Sequence, residues 1–358
     1  MTDALHPALS PEHLTDILRR AGALTDGRVS RVVVESSRGK LVSQTTRAHL
    51  AYEGGAHGAP EGLLLKTALR DGAIDVGDAG RKEVEFYDVV AAATPPGLLP
   101  RCFEAVWEPD AKTWHLLLED LTDSHLVVTD WPVPPTSEQC ERIVETYARF
   151  HAFWWNDATL GRSIGAFLDT GALDMFVGAF PGQYERFVDR LGDRLSAERR
   201  QLYERLIAVM PALLARYRTH RDLTLVNGDA HVWNLLYPRD AGSADVRLID
   251  WSAWRIDTGT DDLAYMMAVH WYPERRRRLE QRLLDRYHAG LVAHGVTGYD
   301  RAALADDYRL SVLWQLTTPV WQAEHNLPPV IWWSHLERIV LAVDDLGCRD
   351  LLEQQERS

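Results

Sequence analysis

Cysteine is scarce in this chain. Cys102, Cys140 and Cys348 stand far apart, with no C-x-x-C pair and no other metal-ligand spacing. That speaks against a disulfide framework and a thiolate metal site, and the three read as reduced thiols of a cytoplasmic protein. Long apolar runs are missing as well. No stretch approaches the ~20 residues needed to cross a bilayer. The opening segment, MTDALHPALSPEHL, carries acids and prolines where a signal peptide would carry a basic segment and an apolar run. Positive charge is in deficit: 39 Lys and Arg against 52 Asp and Glu give a net charge of −13. A nucleic-acid polymer is therefore a poor partner, because phosphate backbones are held by clustered cations. There is no internal repeat and no low-complexity tract, and nothing in the chain reports an oligomeric state.

What remains is ordinary soluble composition, 46% hydrophobic and 25% charged, in a chain of 358 residues. That length suits two domains or one large one. Tryptophan is plentiful, with 13 residues gathered late in the chain.

The most informative stretch is residues 223–251, LTLVNGDAHVWNLLYPRDAGSADVRLIDW. Two apolar segments, 235–237 and 246–249, flank a turn at 240–244, which is a β-hairpin pattern. Asp229 and Asn234 precede the first strand and Asp250 follows the second. Pairing of the strands would bring these oxygen-bearing side chains together. Two carboxylates and an amide suit Mg²⁺, a hard cation that accepts substrate phosphates into its shell.

Upstream, residues 9–21 read as a short helix capped by Ser10 with Pro11 in its first turn. Residues 31–35 read as a strand, 36–40 as a turn and 41–52 as the returning strand. Residues 61–68 form a third strand that carries Lys66 inside an apolar run. An edge-strand lysine facing water is one account of Lys66; a lysine pointing into a cleft toward an anion and a carboxylate is the other. The following segment, 81–93, has a helical apolar stripe, and Glu83 lies at its inner edge. Residues 98–107 and 113–118 read as two more strands. After a Pro-rich linker at 131–135 the chain turns helical, with segments at 137–155, 176–187, 197–217, 261–270, 274–294, 301–321 and 331–346.

The ordered set of a strand lysine, a helix glutamate, Leu117-Leu118-Glu119-Asp120-Leu121, Gly-Asp-x-His-x-x-Asn at 228–234 and Ile249-Asp250-Trp251 resembles the aminoglycoside phosphotransferase and choline kinase group. Within that group the chain looks most like the ecdysteroid-kinase-like branch. The resemblance runs from about residue 29 to about 267 and is densest at 226–251. It implies an α+β, bilobal protein-kinase-like fold. A small antiparallel β lobe with one key helix would span residues 1–121, and a larger helical lobe 122–358. It also implies an ATP- and Mg²⁺-dependent phosphotransferase acting on a hydroxyl of a small molecule.

By that resemblance Lys66 binds the nucleotide phosphates and Glu83 holds Lys66. Ser36 and Gly39 belong to the phosphate loop, and Glu119, Asp120 and Leu121 form the adenine hinge. Asp229 is the catalytic residue that orients and deprotonates the acceptor hydroxyl, and Asn234 with Asp250 carries the metal. His231 packs within the catalytic loop, and Asp262, with Asp261, caps a helix or braces that loop. The chain departs from the pattern at Asn227, where the group has His, and in a phosphate segment holding a single glycine. An aminoglycoside-inactivating enzyme and a nucleotide-binding pseudokinase are the alternative readings.

Overall fold

The computed structural model of the protein describes residues 5–39, 43–69, 78–167, 171–240 and 245–357. The chain forms two compact units, each discontinuous in sequence. The first comprises Met1–Val127 and Leu235–Ala253, the second Val128–Asn234 and Trp254–Ser358.

The first unit is built on a five-stranded antiparallel sheet in the order β1-β2-β3-β5-β4. Its strands are β1 (Arg28–Gly39), β2 (Ser43–Glu53), β3 (Gly62–Ala68), β4 (Cys102–Glu108) and β5 (Thr113–Glu119). Helix α1 (Pro11–Arg20) begins at Ser10, whose hydroxyl accepts the His13 N–H, and carries Pro11 at its first position. Leu14 and Leu18 of α1 pack on Leu63, Leu65 and Leu117, which alternate onto one face of the sheet. The second helix lies on the other face, where Lys66 meets Glu83. It runs as α2 (Ala79–Glu85), a π turn at Phe86–Val90 and α3 (Ala91–Ala93).

The turn expected at residues 36–40 is not where the chain reverses. Ser36 and Gly39 are strand residues paired with Arg47 and Gln44. Polar side chains extend the ladder there: Ser37 Oγ lies 2.8 Å from Thr46 Oγ1 and accepts from Gln44 Nε2 at 2.6 Å. Residues 40–42, part of the expected turn and returning strand, lie outside the described residues.

The hairpin read from residues 235–249 is present in this unit. Strand β8 (Leu235–Pro238) pairs antiparallel with β9 (Arg247–Leu248), Leu235 opposite Leu248. The expected turn falls largely on residues 241–244, outside the described residues. Strand β6 (His125–Val127), which sequence periodicity did not signal, pairs on the other side of β8. That pairing is why the hairpin belongs with the sheet-bearing unit although it follows more than a hundred residues later.

The second unit is mainly helical. Its long helices are α4 (Ser137–Trp154), α5 (Gly171–Leu191), α6 (Ala197–Leu213), α8 (Pro273–Ala293), α9 (Arg301–Trp314) and α11 (Pro329–Asp345). A capping box opens α4: Thr136 Oγ1 accepts the Gln139 N–H, and Gln139 Oε1 accepts the Thr136 N–H. The helix expected over 301–321 is broken. It stops at Trp314 and resumes as α10 (Thr317–Glu324). Pro319 has no N–H to give the Gln315 carbonyl, and the Thr317 and Thr318 hydroxyls bond back to Trp314 and Gln315 at 2.8 and 2.7 Å. A short antiparallel pair, β7 (Thr224–Val226) with β10 (Arg255–Asp257), supports the loop that follows β7. Four tryptophans of this unit are core: Trp154, Trp254, Trp271 and Trp332 are buried, whereas Trp131 and Trp321 are exposed.

Candidate active site

In the first unit, Lys66 Nζ donates to Glu83 Oε1 at 2.7 Å and to Asp250 Oδ1 at 3.1 Å. Register explains the first contact. Lys66 stands opposite Leu116 on β5, on the sheet face away from the α1 core, and Glu83 is buried on α2. Burial works against the ammonium, but Asp250 and Glu83 outweigh it and raise the Lys66 pKa, so the charge is kept. Burial likewise pushes the Glu83 carboxyl up against the pull of Lys66. The result is a nearly dry cation between two carboxylates. Asp250 is the more open of the two, its side chain 27% exposed against 3% for Glu83.

Asp250 sits at φ 63°, a left-handed conformation that Asp tolerates better than most residues and that turns the chain sharply after β9. The next residue anchors the turn. Trp251 is fully buried, and its ring stacks on Phe86 in the π turn. Its backbone also hydrogen-bonds to Glu83. The helix carrying Glu83 and the turn carrying Asp250 are thus fixed to each other. π turns are frequent at functional sites, where the extra residue re-aims a side chain.

The segment expected as a hinge closes β5. Glu119 N–H donates to the Arg101 carbonyl at 2.8 Å, and Leu121 O accepts from the Ser124 and His125 N–H groups at 3.2 and 2.8 Å. The Asp120 carboxylate accepts from Arg47 Nε at 2.6 Å and from the Thr122 N–H at 3.0 Å. Its side chain therefore shapes the turn. Ser36 and Gly39 lie along β1, as described above.

The second unit holds Asp229 and Asn234. They lie in a tight loop after β7, with Gly228 at φ 76°. Asn234 Nδ2 donates to the Asp229 carbonyl at 3.0 Å and its carboxylate at 3.3 Å. The five-residue spacing is thus closed by a side-chain bond. Tyr265 hydrogen-bonds to the same carboxylate. The His231 N–H donates to the Asp229 carbonyl at 2.7 Å, and its ring Nε2 lies 3.5 Å from Asp229 Oδ2.

Asp262, on α7 (Thr260–Ala264), braces this loop. Its two carboxylate oxygens accept the Asn227 and Gly228 N–H groups at 2.8 and 2.9 Å. His151 Nε2 lies 3.3 Å from the same carboxylate, and the Tyr287 hydroxyl fixes the other side of that imidazole at 2.7 Å. Asp262, His151, Tyr287 and Asn227 are all buried. Neighbouring Asp261 does something different: with Asp257 it pairs with Arg255, and Gln315 donates to it at 3.0 Å. Burial pushes the Asp261 carboxyl up to about 7 despite Arg255.

Sequence spacing pointed to Asp262 but not to His151, Tyr265 or Arg255. No motif spans the distances separating those residues from the loop. Each unit offers a hard oxygen donor of the kind Mg²⁺ takes: the Asp250 carboxylate in the first and the Asn234 amide oxygen in the second.

Structural comparison supports the fold. A choline kinase from Cryptosporidium parvum Iowa II superposes with a TM-score of 0.58 at 12% identity, covering 96% of this chain and 99% of that one. A Ralstonia eutropha JMP134 protein assigned to the aminoglycoside phosphotransferases gives 0.56 at 14% identity, over 94% and 97%. A microcompartment-associated aminopropanol kinase gives 0.53 at 14% identity, over 96% and 98%. These similarities establish the α+β, bilobal protein-kinase-like architecture. No curated protein matches the sequence significantly. The model of the ecdysteroid kinase-like family matches residues 41–296, more than two thirds of the sequence. The chain belongs to the ecdysteroid kinase-like family.

Proposed function

We propose that the protein is an ATP- and Mg²⁺-dependent kinase that transfers the γ-phosphoryl group to a hydroxyl of a small molecule. The observation that carries this reading is Lys66 held between Glu83 and Asp250. A buried cation with its charge retained is suited to phosphate oxygens, and a second, more open carboxylate beside it is suited to a metal–phosphate complex. Mg²⁺ bound by Asp250 and Asn234 would neutralise charge on the phosphates.

The remaining work is positioning. Asp229, oriented by Asn234 and Tyr265, accepts the proton of the acceptor hydroxyl. The hydroxyl oxygen forms its bond to the γ-phosphorus as the bond to the β-bridging oxygen breaks, and ADP leaves. Asp262 acts through the loop backbone, keeping Asp229 where the hydroxyl must arrive. The structural neighbours named for choline and aminopropanol handle small amino alcohols, which supports a small hydroxylated acceptor here without selecting one.

The test is substrate-dependent ADP release across a panel of hydroxylated metabolites, sterols and antibiotics. Turnover on at least one acceptor is expected, with Asp229→Asn lowering kcat by about 10²–10⁴-fold while ATP still binds. Full turnover in that variant would remove Asp229 from the mechanism. ATP binding without ADP release on any acceptor would favour a pseudokinase.

A further inference from the structure

Glu104 lies on β4, His115 on β5 and His13 on α1, far apart in sequence. In the fold, one carboxylate oxygen of Glu104 gathers both imidazoles. Its Oε2 is 2.7 Å from His13 Nε2 and 2.9 Å from His115 Nε2. The three candidate ligand atoms all lie within 4.8 Å of one another.

The sheet register dictates this convergence. His115 is opposite Val106 and Glu104 is opposite Leu117, so Glu104 and His115 are diagonal neighbours on one face. A β-bulge between Cys102 and Glu104 precedes the carboxylate, and the Cys102 thiol donates to the Glu104 carbonyl at 3.2 Å. Bulges re-aim side chains in this way. The face is the one covered by α1, which brings His13 over the strand pair. Lys66 projects to the opposite face, because it is Thr67, not Lys66, that stands opposite His115.

We propose that His13, Glu104 and His115 form a binding site for a divalent cation of borderline softness, Zn²⁺ in the first instance, on the sheet face opposite Lys66.

Two imidazoles and one carboxylate are a Zn²⁺ ligand set that leaves a fourth position for water. Bonds of 2.0–2.2 Å in tetrahedral geometry need ligand atoms about 3.3–3.5 Å apart. Small side-chain rotations from the present 2.7 and 2.9 Å provide that separation. A cavity of about 350 Å³, lined in part by His6, His13, Trp114 and His115, gives water and ion access. Arg20 approaches the other carboxylate oxygen of Glu104 at 4.0 Å, but its side chain is 71% exposed and can turn to water. Mg²⁺ is not expected here, since it prefers an all-oxygen shell. A bound ion would tie α1 to β4 and β5, so the nucleotide-binding unit would gain stability without a change at Lys66.

The experiment uses the full chain without a histidine tag. After chelation and desalting it is titrated with Co²⁺ and then Zn²⁺. One equivalent of Co²⁺ per chain is expected, with the visible absorption of a four-coordinate site, displacement by Zn²⁺ and a rise in Tm. His13→Gln and His115→Gln should each weaken Co²⁺ binding by about 100-fold or more, since even supporting residues around a metal cost 10–100-fold. Absence of Co²⁺ uptake by the wild-type chain overturns the site, and so does equal uptake by the double variant. Should the variants fail to fold, X-ray absorption of the Zn²⁺-loaded wild type decides. Two imidazoles and a carboxylate support the site; thiolate ligands or fewer than two imidazoles overturn it.

Discussion

The ring of Phe86 lies flat on that of Trp251, with centroids 4.0 Å apart and planes 6° from parallel. The stack joins two elements that are remote in sequence: the helix that carries Glu83 and the turn that carries Asp250. Each supplies one of the carboxylates on Lys66, so the stack sets the distance between them. Phe86 is fully buried. Phe86→Ala should lower the unfolding free energy by about 3–5 kcal/mol, the usual cost of emptying an aromatic core site. It should also weaken nucleotide binding, which Phe86→Leu should largely preserve. Urea unfolding and ATP titration measure the two effects. Unchanged ATP affinity in a folded Phe86→Ala chain would show that the stack does not position the carboxylates.

Lys66 and Glu83 make a second, separable prediction. Lys66→Ala leaves two carboxylates facing each other where a cation stood. ATP affinity should fall because the phosphates lose their cation, and a folded variant should show kcat/KM reduced by about 10²-fold or more. Glu83→Gln keeps a hydrogen-bond acceptor for Lys66 and removes only charge, so its loss should be smaller. If both variants lost the same amount, the lysine would matter only as Glu83's partner.

Asp262 tests the second unit alone. Its carboxylate accepts two backbone N–H groups of the loop that ends in Asp229. Asp262→Asn places an amide N–H where an oxygen was needed. One buried donor loses its acceptor, at about 1–3 kcal/mol. Displacement of the loop by an ångström should cost kcat about 10²-fold. ATP affinity measured without Mg²⁺ should stay near wild type, because Lys66, Glu83 and Asp250 belong to the other unit, whereas Asn234 shares the displaced loop. A parallel loss of ATP binding would contradict that separation.

Much of this was legible in the sequence because the signals were local. A short apolar run along 61–68 placed Lys66 on a strand, and a helical stripe placed Glu83 on the inner edge of its helix. A Gly/Asp/Ser turn announced the β8–β9 hairpin. The missed features have no local signature. Strand β6 is three residues long and exists because β8 offers it an edge. Ser36 to Gly39 looked like a turn by composition, but cross-strand hydroxyl and amide contacts keep them in register. The ring of Phe86 in the π turn stacks on Trp251, and the Asp262 brace is buttressed by His151 and Tyr287, partners remote in sequence. His13, Glu104 and His115 belong to three elements whose shared face appears only once the sheet register is known. Pro319 was visible, and its missing N–H could have signalled the break between α9 and α10.

Acid sensitivity should come from buried histidines of the second unit. His335 is packed with its Nδ1 2.9 Å from Gln322 Oε1, and its ring lies 4.7 Å from that of His270. Burial, helped by the Arg338 and His231 charges, lowers the His335 pKa from 6.5 to about 3. Burial lowers His270 in the same direction, with His335 and His231 adding to it. The folded chain therefore keeps both rings neutral where the unfolded chain protonates them. Between pH 6.5 and about 3 the unfolded state holds the extra proton on His335, so stability must fall as pH falls through that window. The slope is about 1.4 kcal/mol per pH unit for each such proton. His335→Gln removes one titrating group. Its unfolding free energy should decline less steeply on acidification than that of the wild type, whatever its value at neutral pH. Urea unfolding at a series of pH values gives both slopes, and parallel curves would assign the acid sensitivity to other groups.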